Sequence, residues 1–354
     1  MKIIIDIGHP AHVHYFRNFI KIMEDKGHSF LIIAKDRNIT YELLDHYKIP
    51  FIKRKDYPSS LLGKLLNIPI TDLFVIKHAK KFKPDIMIGF SGTHIAHAGK
   101  VLNIPSIVID DTEHATLAHW SYKPFASVIL TPRCFYKELG SKQIYFDSYT
   151  EYFYLHPNYF EPNPKVLSLL NINEDEDFAI VRFVAWNASH DVNENGLSNN
   201  DKIDLIKYLS AKMKVFISSE GDMPLELQKN QFSIPSEYMH DALSYARLYV
   251  GEGGTTASES AIIGTPAIYM NNLSMGYIND EKEAGLLYQT AEINKIKEYI
   301  ETVVSIGKKG FTQKRDNLLK DKIDPTAFLI WFVENYPRSV QTMKNNSDYQ
   351  YRFK

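Results

Sequence analysis

Residues 247–270 read Arg-Leu-Tyr-Val-Gly-Glu-Gly-Gly-Thr-Thr-Ala-Ser-Glu-Ser-Ala-Ile-Ile-Gly-Thr-Pro-Ala-Ile-Tyr-Met. An apolar run, a glycine-rich turn, a run of small and apolar residues, and a second apolar run after Gly264 and Pro266 parse as strand, turn, helix, turn, strand. Gly253 and Gly254 let the backbone approach a ligand closely, and the amides of Thr255 and Thr256 point, with the helix dipole, at an anion. Glu259 follows in the same helix, where its carboxylate has two acceptor oxygens for a diol such as ribose. The plain alternative is a strand-to-helix turn with threonine caps.

The same alternation continues on both sides. In the second half, strands are predicted at 178–184, 214–218, 247–250 and 266–270. In the first half they are predicted at 3–7, 28–34, 85–89, 105–109 and 127–130, with helices at 14–26, 38–47, 71–82 and 93–102. Isoleucine- and valine-rich runs joined by helical segments are the pattern of parallel strands with crossover helices. Between the halves, Pro157, Pro162 and Pro164 precede the acidic run Glu174-Asp175-Glu176-Asp177, which is linker chemistry. The expected organisation is an α/β protein with a Rossmann-like domain over 1–155, a linker over 156–175 and a second Rossmann-like domain over 176–336. A polar tail, partly ordered at best, would follow over 337–354. Asp324-Pro325-Thr326 should cap a strongly apolar last helix at the domain junction. Ligands of such sheets sit beyond the carboxyl ends of the strands, so the two domains are expected to face each other across a cleft.

A chain of 354 residues suits two cores, and 44% apolar with 23% charged residues is ordinary globular usage. The 41 basic and 42 acidic residues leave a formal net charge of −1. No global field therefore exists for nucleic acid or an anionic membrane, and either partner would need a local patch. The single cysteine, Cys134, excludes an internal disulfide framework and a cysteine zinc cluster and suits a reducing compartment. No run of roughly 18 apolar residues occurs, and Met1-Lys2-Ile3-Ile4-Ile5-Asp6 reads as a buried strand, so a cytoplasmic location is expected.

The 247–270 unit resembles the nucleotide-sugar half of the two-domain glycosyltransferases of the GT-B fold. It is most similar to the peptidoglycan N-acetylglucosaminyltransferases that form lipid II, and the non-hydrolysing UDP-N-acetylglucosamine 2-epimerases share it. The resemblance implies that Gly253, Gly254, Thr255 and Thr256 meet the phosphates and that Glu259 holds the ribose. It also implies that the backbone of Ile234-Pro235-Ser236-Glu237-Tyr238-Met239-His240 faces the base. It is specific over about 40 residues and architectural elsewhere. The epimerases usually carry two adjacent acidic residues in the helix, where this chain has Ser258 and then Glu259. The chain also looks like a family of uncharacterised bacterial and archaeal proteins of this fold, through Gly8-His9-Pro10-Ala11-His12 and Asp110-Asp111-Thr112-Glu113-His114-Ala115.

Other polar clusters follow predicted strands. His9, His12 and His14 read as loop or cap histidines, as a metal set, or as groups working on substrate, with His9 and His12 favoured as general base or hydrogen-bond donor. The same loop lacks Gly-x-Gly-x-x-Gly, which speaks against a dinucleotide cofactor. Gly89-Phe90-Ser91-Gly92-Thr93-His94 forms a second loop with free amides, in which His94 is at least a first-turn residue. Asp110, Asp111, Glu113 and His114 read as catalytic or acceptor-binding groups, or as helix caps through Asp111 and Thr112. Arg182, inside an apolar strand, needs a counter-charge, either a phosphate or a carboxylate such as Glu252. Ser218-Ser219-Glu220-Gly221 ends a strand and offers Ser218 to the nucleotide or a plain turn. Ser189-His190-Asp191 are adjacent in sequence and do not make a triad.

These readings converge on a metal-independent glycosyltransferase that needs no cofactor and uses a nucleoside diphosphate sugar, UDP-linked, as substrate. The acceptor would be a glycan or a lipid-linked molecule in cell-surface polysaccharide synthesis, with peripheral contact at the inner face of the membrane. His9, His12, Glu113 or His114 would supply the base, with Asp111 in the same catalytic set. The alternative is a non-hydrolysing sugar-nucleotide epimerase, which needs acid and base groups on both sides of one sugar carbon. A nucleotide-sugar sensor or scaffold is a third class.

Overall fold

The computed structural model describes residues 1–37, 39–54, 61–184, 197–219, 221 and 223–354, the side chains of 61–66 excepted. The chain forms two compact units, Met1–Tyr159 with Lys322–Lys354, and Phe160–Asp321.

The first unit is built on seven parallel strands: β1 (Lys2–Ile7), β2 (Ser29–Lys35), β3 (Phe51–Arg54), β4 (Ile86–Phe90), β5 (Ser106–Ile109), β6 (Val128–Pro132) and β7 (Gln143–Phe146). Their order is β3-β2-β1-β4-β5-β6-β7, which places the topological switch point between β1 and β4. Ile3, Ile4, Ile5 and Ile7 are all fully buried, as a central strand covered on both faces requires. The edge strands β3, Phe-Ile-Lys-Arg, and β7, Gln-Ile-Tyr-Phe, were not expected, because an edge strand has one neighbour and need not be apolar throughout. The first helix runs Pro10–Asp25 rather than from 14, with Pro10 in the first turn, where its missing N–H costs nothing. Helix Leu61–Phe82 starts ahead of the expected 71 and tolerates Pro69 inside it.

The second unit carries β8 (Phe178–Phe183), β9 (Lys214–Ser219), β10 (Leu248–Gly251), β11 (Ala267–Tyr269) and β12 (Leu287–Gln289), all parallel in the order β12-β11-β10-β8-β9. The short edge strand β12 was not expected either. A left-handed Gly264 closes helix Gly254–Ile263, its N–H bonding the carbonyl of Ser260.

The carboxyl-terminal segment departs from the sequence reading. Asp324 does cap helix Pro325–Glu334, accepting from the Ala327 amide at 3.0 Å. That helix, however, belongs to the first unit and packs on helices Pro10–Asp25 and Tyr152–Leu155. Residues expected as a loose tail form helix Arg338–Asn345 and the 3-10 turn Ser347–Phe353. Asp147 anchors the turn. Its amide donates to Gln350 Oε1 at 2.7 Å, and its carboxylate accepts from Tyr351 at 2.7 Å and Lys322 at 2.8 Å. Burial opposes ionisation of Asp147, but the Lys322 and Tyr351 bonds outweigh it and hold the carboxyl below its ordinary range. Phe353 packs on Phe328 and Trp331. Tyr349, Tyr351 and Phe353 alternate with polar residues, and that spacing was the signal missed.

Candidate functional site

In the second unit the strand ends assemble the predicted nucleotide residues. The sheet register sets Arg182 between Ser218 on β9 and Gly251 on β10. The Arg182 guanidinium donates to Ser218 Oγ at 3.1 Å. Glu252, the alternative partner considered for Arg182, accepts from the amides of Val184 at 2.9 Å and Leu197 at 3.3 Å. Those amides flank 185–196, so Ser189-His190-Asp191 falls outside the described residues, as does Glu220. Gly251 has to be glycine, since a Cβ there would overlap the Tyr249 hydroxyl two residues back on the same strand face.

Helix Gly254–Ile263 makes Gly254, Thr255 and Thr256 its first three residues, whose amides have no partner within the helix, and Gly253 caps it without a side-chain bond. Residues 253–256 are half-buried, whereas 257–262 are buried, so the accessible part of the helix is its positive end. A Cβ on Gly254 would come within 2.9 Å of Met275 Cε and 3.4 Å of the Tyr269 and Tyr277 hydroxyls. A larger residue there would have to displace that wall.

Glu259 is buried, and His240 Nε2 donates to its Oε1 at 2.9 Å. The carboxylate expected to hold a ribose is thus oriented by an imidazole from helix Met239–Tyr245. The 234–240 segment meets Glu259 through the His240 side chain. Ser258 donates to Glu281, a fully buried carboxyl on helix Gly276–Glu283. Burial pushes Glu281 up to about 8, with Asp280 adding to the rise and the Ser258 bond opposing it.

A raised carboxyl means that the folded chain holds the proton more tightly than the unfolded one. The cost to stability is absent below the ordinary value of 4.5, grows as pH rises, and is complete above about 8. Glu281→Gln, which keeps the acceptor for Ser258, is therefore expected to raise the melting temperature at about pH 9 and change it little at about pH 5. The gain at the higher pH is on the order of a few kcal/mol, as so large a rise in proton affinity implies. Thermal melts at the two pH values check this, and an equal effect at both would contradict it.

In the first unit the polar clusters lie at strand ends on either side of the switch point. His9 caps helix Pro10–Asp25, its Nδ1 accepting from the Ala11 amide at 3.2 Å, and His12 Nδ1 accepts from the Gly8 amide at 3.2 Å. In each ring the lone pair at Nδ1 is used, so the neutral imidazole carries its proton on Nε2. Burial, then His9, Arg37 and Arg54, hold His12 well below the usual imidazole range. Held this way, each ring turns Nε2–H outward as a hydrogen-bond donor, one of the two roles expected of His9 and His12. His14 is a core residue stacked on Tyr154. Behind the loop, Arg54 at the end of β3 lies 3.4 Å from Asp6, both buried.

After β5, Asp110 is fully buried and accepts from Tyr122 at 2.7 Å, Ser91 at 3.0 Å and the Thr112 amide at 3.0 Å. It locks the 89–94 and 110–114 loops together and is spent in doing so. Asp111 differs. It accepts from Thr112 at 2.8 Å and from Thr150, whose hydroxyl also lies 3.3 Å from Glu151. Burial, together with the charges of Asp110 and Glu113, raises the Asp111 carboxyl to about 7 against the Thr150 and Thr112 bonds. Glu113 is buried and accepts from the Tyr136 amide at 3.3 Å. His114 is half-buried and turns the chain toward helix Thr116–Tyr122 through its carbonyl, which accepts from the Thr116 amide at 2.7 Å. Sequence reasoning missed Thr150, Glu151 and Tyr122, and named Ser91 only as part of a loop. The run Asp147-Ser148-Tyr149-Thr150-Glu151 follows the edge strand β7, itself not expected, so no local signal marked it. Among the described residues, no three His, Cys, Asp or Glu side chains are arranged to hold a metal ion.

Parallel sheets of seven and five strands flanked by helices, with polar loops at the strand ends, define an α/β protein of the two-unit GT-B kind. The chain belongs to the family described as Protein of unknown function (DUF354), which it matches over residues 1–337. The uncharacterized protein MJ0665 of Methanocaldococcus jannaschii is 25% identical over 345 residues, 94% of this chain and 97% of that one. Among solved structures, the UDP-GlcNAc 2-epimerase of Neisseria meningitidis bound to UDP-GlcNAc superposes with a TM-score of 0.66 at 11% identity, covering 89% of this chain and 94% of that one. The Methanocaldococcus jannaschii UDP-GlcNAc 2-epimerase in complex with UDP-GlcNAc and UDP gives 0.64 at 14% identity, covering 86% and 92%. The spinosyn rhamnosyltransferase SpnG complexed with spinosyn aglycone gives 0.62 at 14% identity, covering 94% and 100%. The GT-B resemblance read from 247–270 is borne out at the level of fold.

Proposed function

We propose that this protein is a sugar-nucleotide enzyme that transfers a sugar from a UDP-linked donor to a glycan or lipid-linked acceptor. One observation carries the reading: the accessible amide end of helix Gly254–Ile263 follows β10, whose Gly251 pairs with Arg182, itself bonded to Ser218, and Glu259 of the same helix is held by His240. The first-turn amides and Arg182 would stabilise a leaving diphosphate without a divalent ion, and Glu259 would accept from the ribose. Asp111, with a proton affinity near neutrality, is the group suited to take the acceptor's proton, and His9 and His12 supply Nε2–H donors. Structures of the same fold that hold UDP-GlcNAc, UDP or an aglycone support this reading. Among the described residues no helix is long and apolar enough to cross a membrane, and we place the enzyme in the cytoplasm.

Epimerisation remains the second reading because Asp111 and Glu151 share one Thr150 hydroxyl, which puts two buried carboxyls side by side. Incubation with UDP-N-acetylglucosamine, chelator present and no acceptor added, separates the two. The transferase reading predicts recovery of unchanged donor, and transfer that survives the chelator once an acceptor is supplied. Isomerised nucleotide sugar would instead establish the epimerase, and strict dependence on manganese or magnesium would contradict diphosphate stabilisation by amides.

A further inference from the structure

The 110–114 loop runs straight into helix Thr116–Tyr122, whose outer face is apolar: Leu117 is 74% and Trp120 78% exposed. Helix Leu61–Phe82 shows the same anomaly, with Ile70 at 48% and Leu73 at 66%. Helix Thr93–Leu102 ties the two together. Asp72 accepts from Nδ1 of both His94 and His97 at 2.7 Å, and His97 Nε2 donates to the Ser121 carbonyl at 2.9 Å. Thr93 and Ser121 share a hydroxyl bond of 2.6 Å. The Asp72 bond raises His97 above its ordinary imidazole value despite its partial burial. The three helices form one layer, with Val75, Ala79, Ile95, Ala96 and Tyr122 in a shared core cluster, and the exposed Leu73 and Trp120 lie on the solvent side of that layer, next in sequence to the clamp residues Asp72 and Ser121.

The exposed charged residues described on the three helices are all lysines. Lys77, Lys80, Lys81 and Lys100 are exposed on two of the helices, and Lys123 is exposed at the end of the third. The sequences of the three helices contain one acid, Asp72, which the two imidazoles already engage. A chain of net charge −1 thus concentrates lysine around exposed tryptophan and leucine in one place. Apolar patches of this kind on a protein surface mark interaction sites. Lysine is depleted in protein–protein interfaces, whereas tryptophan at headgroup depth with lysine beside it is the chemistry of binding to an anionic bilayer.

We propose that this face of the first unit docks on the surface of an anionic lipid bilayer and presents the 110–114 loop to the headgroup of a lipid-borne substrate. Only the last clause rests on the function proposed above. Helix Thr116–Tyr122 would sit at the headgroup boundary, with Trp120 and Leu117 inserted and the lysines against lipid phosphates.

Co-sedimentation of the full chain with vesicles tests the docking, using phosphatidylcholine alone and phosphatidylcholine with about one-third phosphatidylglycerol. Binding is expected to the anionic vesicles only and to fall with added salt. It should weaken about tenfold or more in a Leu117→Ser, Trp120→Ser variant and in a Lys80→Glu, Lys81→Glu variant. The second variant keeps the test sound if the first should fold poorly. UDP affinity, measured in parallel, should be unchanged in both, so failure of the docking and failure of the nucleotide reading are seen separately. Absence of wild-type binding to anionic vesicles, equal binding to neutral ones, or undiminished binding by the folded variants would overturn the proposal.

Discussion

Replacing Asp111 by asparagine is expected to lower turnover about a hundredfold or more, the range for loss of a general acid or base. The effect should be specific to proton transfer because the carboxyl is buried and its proton affinity is raised to about 7. Asp110, equally buried, is consumed by Tyr122, Ser91 and the Thr112 amide. If Asp111 acts as a base, kcat/KM should rise as pH passes upward through about 7, since the deprotonated form is the active one. Asparagine should flatten that step. Thr150→Val should move it upward, because the Thr150 hydroxyl favours the carboxylate and its loss leaves burial less opposed. A pH–rate profile of the three proteins checks this, and an unmoved inflection in Asp111→Asn would assign the step to another group.

Glu259→Ala is expected to weaken UDP binding by about 1.5–3 kcal/mol, roughly tenfold to more than a hundredfold, the range for hydrogen bonds to a charged group. His240→Ala should produce a smaller loss in the same direction, because it frees the carboxylate to rotate without removing it. Glu259 is buried, so Glu259→Ala also strands the His240 imidazole, and affinities should be measured well below the melting temperature of the variant. Unchanged UDP affinity in folded Glu259→Ala would remove the ribose assignment.

The parts of the fold legible in the sequence are those that a local pattern dictates. The central strands announce themselves as runs of isoleucine and valine, and the turn at 253–256 by its paired glycines and threonines. The edge strands β3, β7 and β12 do not, because one-sided pairing relaxes the demand for apolar residues. In the site, Arg182 and Ser218 were legible as strand-end residues, and the parallel register brings them together. His240 was named only as part of a backbone segment, since nothing local links an imidazole to a carboxylate 19 residues on. Thr150 reaches Asp111 across two further strands, a separation of 39 residues, which no spacing rule covers, and its hydroxyl also meets Glu151. The histidine loop was legible as a cluster but not in its chemistry. That depended on which ring nitrogen the Gly8 and Ala11 amides occupy.

Titration calorimetry of the full chain with UDP, alongside Thr255→Pro, tests the central claim most directly. Proline in the first helical turn deletes one amide donor while the helix persists, and Gly254 before it lacks the Cβ that would crowd the ring. The account predicts saturable binding of UDP by the wild type and clearly weaker binding by the variant at an unchanged melting temperature. The absence of saturable binding by the wild type, or equal affinity in the two proteins, would contradict it.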